Sequence, residues 1–401
     1  MDRRQLLFGG ASVIGLSALA GCSSGLGEQS AQAASKKLIT AADLKMEVGT
    51  PYPLVSLPGK KPMGQVYDRP PNYETPAEKL IGEKNYPYTD NDYYYVRYRE
   101  ADVLEVDPKD YTLKIGGDAA HNEVTFTYEE LLARSSTTVG AVGMCSGQGR
   151  GLHHPMIPGM PWTKGDLSAA EWTGIPLKDL LKEVGVDDSA EFVAFRGGRL
   201  ISMTKPQYWR SYILDTIPDE ALVALKMNGE DIPFWNGYPV RLVVPGTYAP
   251  PWVKQLVEIQ IRKTNHPMEW SGREATPNKL NLHSFVTTPT DGTTVPPRRP
   301  IEFTGVAYDK GDGIAQVDYS IDDGKSWHKA KLEKSYGKYT WRVWRANIEF
   351  DEPGKHTVMC RATSTTGEKQ AVEVSEDVRE NGGRKETAAR LYAAHIMVED
   401  G

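Results

Sequence analysis

"VGAVGMCSGQGRGLHHP", residues Val139–Pro155, carries one of the chain's three cysteines. Its first half is small and apolar and reads as a strand ending at Cys145. Its second half is a loop of Gly147, Gly149 and Gly151 with Arg150 and the adjacent His153 and His154. Such glycines allow positive dihedrals and close approach to a bulky ligand. Successive backbone N–H groups can form an anion-holding concavity. Arg150 adds fixed charge and a rigid donor fork, and nearby positive charge stabilises a thiolate. Three readings of the thiol follow. Core packing is the ordinary fate of a cysteine. A protease nucleophile needs a base, and His153 or His154 could be offered, but spacing alone identifies no oriented Cys-His-Asn set. Structural zinc wants four ligands, and two adjacent histidines on an extended chain point to opposite sides.

The rest of the chain narrows the choice. At 401 residues it is long for one hydrophobic core, so two domains are expected. A hydrophobic content of 39% with 25% charged residues places it among soluble globular proteins. The net charge of −6 comes with scattered lysines and arginines, not the basic stripe that nucleic-acid binding needs. The first 33 residues read as an export signal. Arg3 and Arg4 look like a twin-arginine signal ahead of the weakly apolar stretch Leu6–Ala20, too short for a confident membrane span. "LSALAGC" resembles a lipoprotein site that would acylate Cys22, whereas Ala31 and Ala33 allow cleavage after Ala33. Both routes lead to the periplasm, one with a membrane tether. Cys145 and Cys360 then remain, far apart in sequence, so no structural disulfide is expected. There is no C-x-x-C-H for a c-type haem and no four-cysteine iron–sulfur pattern.

Residues 34–92 are rich in proline, tyrosine and lysine and read as an extended arm on the surface. From residue 93 to 280 the pattern is α+β. Strands are expected on both sides of Asp107-Pro108, at "TTVGAVGMC", at "EFVAFRG" and at Val240–Val244. Short helices are expected after Thr127 as N-cap and between Pro176 and Gly185. Residues 281–401, beginning with the Thr- and Pro-rich linker "TTPTDGTTVPPRRP" and closing in a tail, change to short strands and turns, the signature of an immunoglobulin-like β-sandwich. There Val358, Cys360 and Ala362 share one face, which makes Cys360 a core residue. "YTWRVWRANIEF" is expected to expose alternate large side chains as a homodimer face.

Several separated motifs agree in order with the sulfite oxidase family of molybdenum enzymes. "YYYVRYR", "CSGQGR" (the family's C-x-G-N-x-R), "WTGIPLKDLL", "LKMNGEDIPFWNGYPVRLVVPG", "WVKQL" and "DYSIDDGKSWHKA" resemble it from about Tyr93 to Gln370, nearest the exported bacterial sulfite and sulfane dehydrogenases. The resemblance implies a molybdopterin domain followed by an immunoglobulin-like dimerisation domain. It makes Cys145 the thiolate ligand of molybdenum, a soft donor for a soft metal. It makes Arg97 and Arg150 the oxyanion-pocket arginines, and Tyr95, Arg97, Asn236, Arg241, Trp252, Val253 and Lys254 the pterin and phosphate contacts, Trp252 and Val253 through their backbone. Asn236 replaces the histidine of animal members. It implies transfer of an oxygen atom from water to sulfite or a related sulfur oxyanion, with electrons leaving for an external cytochrome c.

Three positions depart from the family pattern. Leu225 stands where sulfite oxidisers carry a tyrosine, Arg99 where the first segment has histidine, and Gln148 where C-x-G is followed by asparagine. Leucine cannot donate a hydrogen bond; Tyr98, Tyr208 and Tyr212 are candidates to supply a phenol from elsewhere. An oxotransferase of other specificity, including a sulfoxide-type reductase, and an inactive periplasmic scaffold stay open as alternatives.

Overall fold

The computed structural model describes residues 36–98, 107–153, 155–156, 158–197, 208–266, 278–371 and 392–399. The export signal with Cys22, as well as Arg99 and His154, lie outside the described residues.

Strands dominate, which corrects the α+β expectation. The described residues hold two α-helices, Tyr128–Leu132 and Leu177–Val184. Both begin and end as local chemistry dictates. Thr127 Oγ1 accepts from Glu130 N at 3.2 Å while the Glu130 carboxylate accepts from Thr127 N at 2.7 Å. This reciprocal cap stabilises the first turn by about 1 kcal/mol. The second helix buries Leu177, Leu180, Leu181 and Val184 on one stripe and stops at Gly185, whose φ is +80°.

The strand Thr137–Met144 pairs antiparallel with Leu167–Pro176, from Thr137 opposite Gly174 to Met144 opposite Leu167. The alanine-rich start of Leu167–Pro176 has helical propensity, but both of its faces are covered and tertiary pairing overrides it. Leu222–Met227 and Glu230–Asp231 complete this sheet, and Arg241–Val243 pairs with Leu222–Met227 beside it. A second sheet runs in the order Tyr208–Ile213, Phe192–Gly197, Leu256–Arg262, Thr112–Gly116, Val124–Thr127.

The supposed surface arm is folded in. Leu54–Val55, Met63–Tyr67 and Asn72–Glu74 form a sheet with Val96–Arg97. Met63, Asn72, Glu74 and Thr75 are wholly buried. This proline-rich segment holds no α-helix among its described residues, only short strands and the 3-10 turns Ala41–Asp43 and Ala77–Lys79.

Beyond residue 280 two sheets share one core. One holds His283–Thr288, Ile301–Tyr308, Arg342–Ile348 and Lys331–Leu332; the other holds Thr294–Val295, Ala394–Val398, Gly354–Ser364, Ile314–Ser320 and His328–Lys329. Val358, Cys360 and Ala362 point into that core with Phe303, Trp344 and Ile348 from the facing sheet. Two expectations are corrected here. His283–Thr288 already pairs with Ile301–Tyr308, so the Thr- and Pro-rich stretch lies inside the sandwich instead of linking domains. Trp341 and Trp344 are buried; the outward positions are Arg342, Arg345 and Asn347, and Arg345 is paired with Glu302 and Glu333.

Candidate functional site

Cys145 stands at the end of Thr137–Met144, buried and not in a disulfide. The segment Pro161–Asp166 clamps the loop that follows it. Cys145 N donates to Asp166 O at 3.1 Å, Gly149 N to Thr163 O at 3.0 Å and Gly151 N to Trp162 O at 2.8 Å. Of the three loop glycines only Gly149 has a positive φ, +78°. A Cβ on Gly149 would lie 1.6 Å from the Tyr392 hydroxyl. A Cβ on Gly147 or Gly159 would come within 2.9 or 2.4 Å of Arg150 Nη1. The glycines therefore make room for Arg150 and Tyr392 themselves, which corrects the expectation of direct approach by a ligand at all three. His153 is buried, its N–H bonded to Arg150 O at 3.3 Å.

Two buried groups interact electrostatically with the thiol: Tyr95, expected from the sequence as a pterin contact, and Asp166, which no sequence signal picked out. Asp166 is wholly buried, and among the described residues neither carboxyl oxygen has a hydrogen-bond partner. Burial pushes its pKa well above the carboxylate range, and Cys145 and Glu74 push the same way against Arg150. Tyr95 lies within electrostatic reach of Cys145 and Asp166, and burial, then Tyr94 and Cys145, raise its phenol. The three phenols considered from sequence are engaged elsewhere. Tyr208 donates to Pro250 O at 2.6 Å and Tyr212 to Pro251 O at 3.2 Å. Tyr98 packs edge-on to Trp235, with ring centroids 5.5 Å apart. Leu225 is buried in the core that contains Tyr95 and Trp252, at an irregularity in its strand pairing.

The N-terminal segment reaches this centre too. Glu74 accepts from Thr50 Oγ1 at 2.5 Å, Thr163 N at 3.0 Å and Thr163 Oγ1 at 2.5 Å, and Tyr52 donates to Pro161 O. The clamp on the cysteine loop is thus itself held by residues that looked like a loose arm.

The remaining candidate residues gather on Asn236. Its side-chain amide donates to Tyr95 O at 3.1 Å and its own carbonyl accepts from Arg241 Nη1 at 2.7 Å. Lys254 donates to Trp235 O and, at 3.0 Å, to Arg97 O. Arg97 donates to Tyr98 O at 2.8 Å. These contacts set Arg97 beside Lys254, while Arg150 stands with Cys145 and Asp166. Trp252 O accepts from Arg241 at 3.5 Å and Val253 O accepts from Leu242 N at 2.8 Å, so both carbonyls are engaged within the protein. Lys254 is half-buried, and its pKa is driven well below the usual lysine value by desolvation, then by Arg241, Lys60 and Arg97. Burial likewise lowers Arg241. Such a cluster is costly unless an anion offsets it.

The described residues contain no group of three or more His, Cys, Asp or Glu that could hold a metal ion. One buried thiol together with a largely buried cation cluster suits a group that brings its own sulfur donors and an anionic tail. Two family models match end to end: the oxidoreductase molybdopterin binding domain over residues 100–270 and the Mo-co oxidoreductase dimerisation domain over residues 274–381. The chain belongs to the sulfite oxidase family. Mitochondrial sulfite oxidase of Drosophila melanogaster is 30% identical over 71% of this chain and 54% of its own length. Sulfite oxidase of Gallus gallus is 28% identical over 74% of this chain and 70% of its length. Nitrate reductase [NAD(P)H] of Hordeum vulgare is 26% identical over 74% of this chain and 37% of its length. The chain spans little more than half the length of the mitochondrial sulfite oxidases it matches. The solved sulfane dehydrogenase SoxCD from Paracoccus pantotrophus shares the fold with a TM-score of 0.68 and 24% identity, over 82% of this chain and 87% of that one. Membership of the sulfite oxidase family implies the molybdenum–molybdopterin cofactor. Cys145 is the residue suited to the metal, and Asn236, Arg241 and Lys254 to the pterin and its phosphate.

Proposed function

We propose that the chain is a molybdenum-dependent oxidoreductase that transfers an oxygen atom from water to sulfite or a related sulfur oxyanion. Sulfite and water would become sulfate, with two electrons and two protons leaving. The observation that carries this reading is the buried thiol of Cys145 at the foot of the Arg150 loop, together with the largely buried cation cluster around Asn236. Molybdopterin, when bound, supplies two-electron oxygen-atom transfer. Cys145 would anchor that group by its sulfur. Arg150 would draw the anionic substrate toward it and offset charge during transfer. Arg97 would contribute to the same field from the Lys254 side. Tyr95 offers a phenol near the thiol where Leu225 has none. With no haem-attachment motif in the sequence, an external cytochrome c would take the electrons singly. Export to the periplasm by the twin-arginine route, with or without a lipid tether at Cys22, and a homodimer built by the immunoglobulin-like half complete the proposal. The match of that half to a dimerisation domain supports the last point.

A second reading, an oxotransferase of other specificity, is favoured by Leu225 alone, since the family's sulfite oxidisers carry tyrosine there. Visible absorption separates the two. Bleaching of a sulfur-to-molybdenum band by sulfite supports the first; bleaching by a low-potential reductant and not by sulfite supports the second. A purified, metal-loaded protein with no such band overturns both. Cys145→Ser should lose one sulfur donor by X-ray absorption, and an unchanged sulfur count would remove the ligand assignment.

A further inference from the structure

Lys60 sits in the Pro- and Lys-rich stretch that looked most like solvated surface. Its neighbour Lys61 is exposed, whereas Lys60 is drawn inside. Its ammonium donates to Asn91 O at 2.6 Å, Tyr94 O at 2.9 Å and Asn236 Oδ1 at 2.6 Å. Those three bonds use all its protons. They fix the chain just ahead of Tyr95 and orient Asn236, whose amide and carbonyl then hold Tyr95 and Arg241. Lys60 also belongs to the buried cation cluster with Arg97, Arg241 and Lys254. The opposing charge that acts on it is Asp92, which is half-buried. Four basic side chains face one half-buried carboxylate, and a phosphate monoester dianion would hold them protonated and offset their charge.

We propose that Lys60 is a positioning residue of the molybdopterin site, through which the cofactor's phosphate locks the N-terminal segment onto the molybdopterin domain. The inference rests on the family's cofactor. Lys60 acts through Asn236 and through charge, since its own N–H groups are spent on protein acceptors. Cofactor binding and closure of the segment around Met63–Glu74 are therefore one event.

Trypsin reads this directly, because it cleaves after Lys60 but not after Lys61, which precedes Pro62. Cofactor-loaded full-length protein should be cut after Lys60 at least tenfold more slowly than protein stripped of cofactor; equal rates overturn the proposal. In parallel, Lys60→Met and Lys60→Arg are purified from a host that makes the cofactor, and oxidised pterin is measured by fluorescence per chain. Lys60→Met should hold at least fivefold less pterin than wild type, Lys60→Arg should recover most of it, and the melting-temperature gain on loading should at least halve in Lys60→Met. A residue that merely packs would lower loaded and stripped protein alike. Wild type and Lys60→Met equally filled overturn this inference alone. Wild type devoid of pterin overturns the cofactor assignment and this inference with it. If Lys60→Met does not fold, the tryptic comparison on wild type decides.

Discussion

Gly149→Ala tests how the cysteine loop is held. The substitution keeps the loop's polar groups and adds one methyl. At φ +78° any residue with a Cβ is disfavoured by about 1–2 kcal/mol. The new Cβ would also stand 1.6 Å from Tyr392 Oη and 2.4 Å from its Cζ, so the ring must move. That ring is buried, and its hydroxyl donates to Gln148 Oε1 at 3.0 Å. Moving it strands a buried phenol, at about 1–3 kcal/mol. The sum is a loss of about 2–5 kcal/mol. Gly367→Ala is the control, because its φ is +87° and nothing lies within 4 Å of the added Cβ. It carries the backbone term without the clash. Urea unfolding followed by tryptophan fluorescence on both variants, equally loaded with molybdenum, measures the difference. Gly149→Ala should be at least about 1–3 kcal/mol the less stable of the two. Equal destabilisation would refute the clash and with it the role of Tyr392 as a buttress.

Leu225→Tyr should overpack a buried site and cost about 1–3 kcal/mol in stability; it should raise kcat/KM for sulfite if the phenol reaches the centre, and absent sulfite oxidation by both metal-loaded proteins would end the sulfite assignment. Stripped protein should gain stability as pH rises from about 7 toward 10.5, because burial lowers Lys60 to about 7 in the fold while the unfolded chain keeps its proton up to 10.5. The penalty, at most roughly 4–5 kcal/mol, is fully present below pH 7 and gone above 10.5; Lys254 acts in the same direction, and urea midpoints at pH 7 and 9 should differ less in Lys60→Met. Light scattering at micromolar concentration should give twice the single-chain mass of 44.4 kDa, and a monomer would remove the homodimer.

What the sequence made legible was local. Thr127 with Glu130, Pro176 with Gly185, the alternation at Val358, Cys360 and Ala362, and the strand that stops at Cys145 each follow from neighbours a few residues away. What it hid was decided by distant partners. The strand Leu167–Pro176 shows no clear strand alternation and takes its form from Thr137–Met144 and Leu222–Met227 on either side. Trp341 and Trp344 read as an exposed dimer face because alternation does not say which side is solvent; Trp344 Nε1 finds Ser284 Oγ at 3.1 Å inside the sandwich. Lys60 and Glu74 carry charges, and charge in a proline-rich stretch argues for solvent. Only the pairing of Lys60 with Asn236 and of Glu74 with Thr163, 176 and 89 positions away, reverses that. Asp166 had no signal at all, since a single aspartate after glycine is ordinary.

The bond from Tyr392 to Gln148 spans 244 positions. A ribosome that has finished the cysteine loop must still add most of the sandwich before the ring that supports the loop exists. Contacts of such separation form late, after the chain-closure entropy between them has been met. The strand Ala394–Val398 follows directly and is zipped between Gly354–Ser364 and Thr294–Val295, so Tyr392 is seated only when that strand docks. The cysteine loop is therefore buttressed by a segment that lies far from it in sequence. A nascent chain stalled short of Tyr392 would carry every residue of the cation cluster and still lack the wall behind Gly149.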